Sequence, residues 1–150
     1  MAIARGAGTE IIRTAMFEDI INTGQKLIIG EQHHIYTVLS VTIQCIARSG
    51  SQVGYLTLHG WDATGATTAG QVSIANISIA VGETFIWNDK FSFNGFEPLS
   101  GSMSGALTTA AEQDAIADQA SAVSQYLKLE TDSSSTQYDC IVSFIDQNNS

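Results

Sequence analysis

Apolar and polar residues alternate along most of this chain. The longest such stretch runs from Ile35 to Ala47, where Ile35, Thr37, Leu39, Val41, Ile43, Cys45 and Ala47 share one side at a period of two. Tyr36, Ser40, Thr42 and Gln44 leave the other side partly polar. A strand with one apolar face belongs in an antiparallel sheet covered on that face, because a parallel sheet covered on both sides carries unbroken apolar runs.

The same alternation predicts the other elements. Gln25 to Gly30 reads as a short strand after the turn Asn22-Thr23-Gly24. Val53 to Trp61 sets Tyr55, Thr57, His59 and Trp61 against Leu56 and Leu58, and is expected to pair with the central strand through a hairpin at Arg48 to Ser51. Val72 to Val81 alternates almost without exception. In Thr84 to Phe93 an aromatic face of Phe85, Trp87, Phe91 and Phe93 is interrupted by Asp89. A buried unpaired carboxylate is very costly, so Asn88-Asp89 is either a bulge or a turn between two short strands. Gln125 to Glu130 and Gln137 to Asp146 are expected to form a closing hairpin around Asp132 to Ser135.

Thr9 to Phe17 has no single clear period. As a helix it aligns Ile12, Ala15, Met16 and Ile20, whereas as an extended segment it alternates Ile11, Arg13, Ala15 and Phe17 against Ile12, Thr14 and Met16. Glycines followed by β-branched residues nucleate a helix poorly, so residues 1–24 are read as an extended arm or first strand. Such an arm adds to a sheet or to a neighbouring subunit, which makes Ile11, Ile12, Arg13, Met16 and Phe17 candidate subunit contacts. Residues 25–150 are expected to form one β-sandwich domain with a surface excursion at 95–124. Within the excursion, Thr109-Ala110-Ala111-Glu112 matches a capping box that opens a short peripheral helix over Ala110 to Ala122. The predicted fold is all-β, a two-sheet antiparallel β-sandwich of jelly-roll or immunoglobulin-like type.

Composition narrows the function. Of 150 residues 44% are hydrophobic and only 14% charged, so the surface is polar mainly through uncharged side chains. A net charge of −9 disfavours a nucleic-acid partner, since phosphate binding depends on Lys and Arg. No apolar run has the length of a membrane span, and the first residues lack the pattern of a secretory signal, so a soluble chain made in a cytosol is expected. Cys45 and Cys140 lie in apolar strand contexts and are expected to be buried free thiols.

Catalytic groups are scarce. His33-His34 are adjacent, and neighbours on a strand point to opposite faces, so they are read as loop or strand-edge histidines rather than ligands. Tyr55, His59 and Trp61 share one parity and are a candidate ring platform for a sugar or base, or else ordinary cross-strand packing. Asp114 and Asp118 are spaced as a solvated helix stripe, and no calcium-loop, nucleophile-elbow or phosphate-loop pattern occurs. No cofactor, metal or enzymatic activity is expected.

Four stretches carry a family resemblance. They are Gly6-Ala7-Gly8-Thr9-Glu10-Ile11-Ile12-Arg13, His33 to Ser40, Gly82-Glu83-Thr84-Phe85-Ile86-Trp87-Asn88-Asp89-Lys90-Phe91, and Phe144-Ile145-Asp146-Gln147-Asn148. In their order and pattern the chain resembles small virion proteins of tailed phages, particularly those of aquatic bacteria. The resemblance implies a structural virion part without catalytic residues: a capsid decoration protein, or a neck, tail or fibre subunit. It further implies a homo-oligomer, with a trimer among the options, whose partners are the major capsid protein or another virion protein.

Overall fold

The computed structural model describes residues 9–60, 70–96, 110 and 124–148. Among them nine strands are formed: β1 (Thr9–Ile20), β2 (Gln25–Ile29), β3 (His34–Ala47), β4 (Gly54–Gly60), β5 (Gly70–Ile77), β6 (Thr84–Trp87), β7 (Phe91–Asn94), β8 (Tyr126–Thr131) and β9 (Gln137–Asn148). One sheet has the order β1-β9-β3-β6, with β7 also on β3, and the other the order β2-β8-β4-β5. All pairings are antiparallel. Consecutive strands alternate between the sheets except at β4–β5 and at β6–β7, which together fill one strand position. That order is a jelly roll, and it decides between the two sandwich types expected from the sequence.

The core lies between the sheets. Val41, Ile43 and Val142 from one sheet meet Leu56, Leu127 and Leu129 from the other, all closed to solvent. Apolar side chains in such an interior each contribute about 1.5–3 kcal/mol by leaving water.

Two hairpins expected from the sequence are instead arches between sheets. β3 and β4 lie in different sheets, as do β8 and β9. Alternation fixes which side of a strand is buried but not which sheet it joins, and short connections suit either. The β8–β9 arch can dive between layers because its carbonyls are satisfied internally. Thr131, buried, shares its one hydroxyl proton between the carbonyls of Ser133 and Thr136, 2.7 and 3.0 Å away, while the Thr136 hydroxyl donates to Gln52 Oε1 at 2.7 Å.

The central strand also departs from its simple pattern. Val41, Ile43 and Cys45 face the core as expected, but before them Tyr36 and Val38 are the buried residues, with Ile35, Thr37 and Leu39 only partly covered. The register with β9 shifts between Val38 and Ser40, and this bulge exchanges the two faces of the strand. Asp89 lies exposed between β6 and β7, so the turn reading holds there. Residues 9–20 form a first strand at the edge of their own sheet. The helix expected over 110–122 falls outside the described residues apart from Ala110.

Candidate functional site

Three strands meet at one end of the five-stranded sheet around a buried carboxylate. Tyr138, Cys140, Val142, Phe144 and Asp146 alternate along β9 on the inner face, so the period that buries the first four buries Asp146 too, at 1% exposure. It faces Ile11 on β1 and Tyr36 on β3. Oδ1 lies 2.6 Å from Nδ1 of His34, and Oδ2 lies 3.2 Å from Nε of Arg13. His34 Nε2 lies 3.5 Å from Glu31 Oε2, and the ring stacks on Tyr36. Tyr36 Oη accepts a hydrogen bond from the Glu31 amide at 3.0 Å. Burial, opposed by that hydrogen bond, pushes its hydroxyl up to about 12.

This His–Asp pair has the spacing of a catalytic dyad, but its outer nitrogen faces Glu31, a second carboxylate, rather than a hydroxyl or thiol nucleophile. The arrangement is an ion-pair latch that ties β1, β9 and β3 together. His34 was expected at a loop or strand edge. It is the first residue of β3 with only 12% of its side chain exposed, because the turn through His33, at φ 64°, delivers it to the inner face. The cluster escaped the sequence reading, although one signal was present: a carboxylate at an apolar parity must find partners. Among the described residues no group of three His, Cys, Asp or Glu side chains is placed to hold a metal.

The candidate subunit contacts divide between the two faces of β1. Arg13 and Phe17 turn inward, Arg13 to Asp146 and Phe17 against the core, and Ile11 opposes Asp146 at the sheet's end. Ile12 and Met16 point outward, 71% and 58% exposed. They stand in two rows crossing the outer face. One row is Met16, Ile141, Thr42 and Ile86, and the other is Ile12, Ile145, Thr37 and Ser92. Between the rows Thr14 and Ser143 share a hydrogen bond at 3.0 Å, and within the second row Thr37 and Ser92 share another at 2.8 Å. A depression of about 170 Å³ opens beside Met16, Thr42 and Ile141. Ile86, Ile141 and Ile145 were not singled out from sequence, though strands apolar on both parities signal a second covered face.

The outer face of the other sheet is polar. Tyr55, Thr57 and His59 on β4 oppose Glu130, Lys128 and Tyr126 on β8. His59 is buried: its ring stacks on Tyr126 at 4.5 Å and 10°, and its Nε2 lies 2.9 Å from Thr57 Oγ1. Burial, helped by the nearby Lys128 charge, lowers its pKa. The other partner of the Tyr126 ring is Lys26, whose Nζ is 4.2 Å from its centroid. His59 therefore offers no free ring face, Tyr55 is half-buried, and Trp61 lies outside the described residues. Both cysteines are buried free thiols.

No family model matches the chain, and no curated protein matches it in sequence. Among solved structures, a chain from Bacillus endospore appendages, described as a novel family of disulfide-linked pili, aligns over 100% of this chain and 97% of its own. The TM-score is 0.43 and the identity 11%. A likeness at that level carries no argument about what this chain does.

Proposed function

We propose that the chain is a non-enzymatic structural subunit of a tailed-phage virion, a homo-oligomeric capsid decoration protein whose copies meet through the outer face of the β1-β9-β3-β6 sheet. The observation that carries this reading is the two-row patch itself. A chain of net charge −9 repels a copy of itself, and this face has uncharged rows of isoleucine, methionine and hydroxyl side chains. Four of its hydroxyls already pair, Thr14 with Ser143 and Thr37 with Ser92, so drying the face leaves those groups satisfied. The other outer face carries Lys26, Lys128 and Glu130 at its centre, whereas on this one the acid Asp139 stands beside the Met16 row and not in it.

Size supports a particle of many copies. Four strands about 4.8 Å apart, each giving five residues at about 3.4 Å, make a face of roughly 300 Å². A stable pairwise interface buries about 800 Å² per partner, so this patch gives weak contacts that gain strength by repetition in a closed assembly. The virion setting rests on the sequence resemblance, and jelly rolls recur in capsid and lectin domains, an analogy at the level of fold. A neck, tail or fibre subunit uses the same face and differs only in following a tail axis instead of the shell.

Sedimentation of the full chain over a range of concentrations tests the assembly face. The wild type gains mass with concentration, while Met16→Lys/Ile141→Lys stays monomeric with an unchanged melting temperature. A wild type that stays monomeric throughout, or a double variant that associates equally well, rejects the face. Antibody labelling of purified particles tests the setting, with shell-wide labelling expected and label on the tail alone pointing to the tail or fibre form.

A further inference from the structure

The four-stranded sheet carries a second concave feature, independent of the assembly face. Tyr55, Thr57, Gln71, Ser73, Asn76 and Glu130 line a depression of about 350 Å³, at the low end of the range of roughly 300–1,000 Å³ typical of small-molecule sites. It depends on a bulge. The register of β4 with β5 shifts between Leu56 and Thr57, which face Ala75 and Ser73, leaving Ile74 as the extra residue. In a regular strand Ser73 and Asn76 point to opposite faces, but the bulge brings both to this depression, where the Ser73 hydroxyl donates to Asn76 Oδ1 at 3.0 Å. That bond orients the Asn76 amide so that its NH₂ remains a donor.

The floor and rim are fixed beforehand. Thr57, 5% exposed, is held by His59, whose ring is clamped by Tyr126. Glu130 is pinned at one carboxylate oxygen by Lys128 Nζ at 2.7 Å, which leaves the other oxygen as an acceptor and the pair without net charge. The depression thus presents one aromatic ring, two amides, hydroxyls and an acceptor, in a setting that favours neither cations nor anions.

We propose that this depression binds an uncharged carbohydrate. Tyr55 packs against the C–H face of one sugar ring, and the amides of Gln71 and Asn76 with the Glu130 carboxylate bond its hydroxyls. Amide and carboxylate groups suit adjacent sugar hydroxyls because each hydroxyl both donates and accepts, and an aromatic ring covers the apolar face left between them. The site differs from the ring platform expected from sequence: Tyr55 stays, His59 becomes support, and β5 supplies the polar contacts.

The test is an amide-resolved NMR titration of the full chain with maltohexaose, cellohexaose, chitohexaose and isomaltohexaose as separate probes, and with a sulfated oligosaccharide for comparison. Expected is saturable binding of at least one neutral probe, with shifts confined to residues 55–57, 71–76 and 130. Gln71→Ala, at an exposed position, weakens it about tenfold, or about 1.4 kcal/mol, and Tyr55→Phe retains it, both with the wild-type melting temperature. No saturable binding of any neutral probe, preference for the sulfated one, or a Gln71→Ala variant that binds like the wild type overturns the proposal.

Discussion

Nδ1 of His34 stands 2.6 Å from Oδ1 of Asp146, across a sequence separation of 112 residues and behind side chains almost closed to water. Removing His34 takes a donor from the buried Asp146 carboxylate, which keeps its contact with Arg13, and stripping a partner from a buried acid costs more than the pair contributes. His34→Leu is expected to destabilise the fold by on the order of 3 kcal/mol, and His34→Leu/Asp146→Leu to recover most of that loss. Urea midpoints at constant slope measure both. A double variant less stable than the single one overturns the latch.

Gly54 lies against the ring of Tyr138, and a Cβ at that glycine would overlap the Tyr138 side chain. Tyr138 is wholly buried and donates its hydroxyl to the Ile77 carbonyl at 3.1 Å, so it has nowhere to move. Gly54→Ala should therefore cost about 1–3 kcal/mol as overpacking. Tyr138→Phe should cost about 1 kcal/mol through the unpaired carbonyl. Thermal melts distinguish both from the wild type, and a neutral Gly54→Ala would show that the two sheets can part there.

His59 gives the fold an acid sensitivity. Burial holds its folded pKa below the ordinary value of 6.5, so under acid the unfolded chain binds a proton that the folded chain refuses. The stability is whole above about pH 6.5 and is lost as pH falls from there towards the folded pKa. His59→Gln should flatten that part of the stability curve. An unchanged slope between pH 6.5 and 5 places the sensitivity elsewhere.

At the alkaline end the sign reverses. Burial pushes the Cys140 thiol from 9.0 up to about 12 and the Tyr36 hydroxyl from 10.0 to about 12. The unfolded chain loses these protons first, so stability is whole below about pH 9 and falls as pH rises towards 12. Cys140→Ala should shallow the first part of that fall. In the native protein both thiols should resist an aqueous thiol reagent until urea opens the core.

Sequence and structure part company in ways with physical causes. Period-two patterns located the strands because burial of one face writes itself directly into side-chain choice. The bulge at Val38–Ser40 left no mark, since Leu39 is as acceptable on one face as on the other and only the swap to buried Tyr36 reveals it. Sheet membership was also silent. A hairpin and an arch join strands of identical alternation, and the difference lies in how Thr131 and Thr136 serve the turn's carbonyls. Asp146 stood in plain view as an acid on an apolar parity, but its partners His34 and Arg13 come from strands far away in sequence.

The position of β9 between β1 and β3 has a temporal consequence. Both neighbours leave the ribosome long before β9 is translated, and during that interval each exposes a row of unpaired backbone groups that a second nascent chain can capture. Closure of this sheet thus waits on β9, whichever of its neighbours folds first. Crowded synthesis of many copies is when the unfinished sheet is most at risk of joining the wrong neighbour.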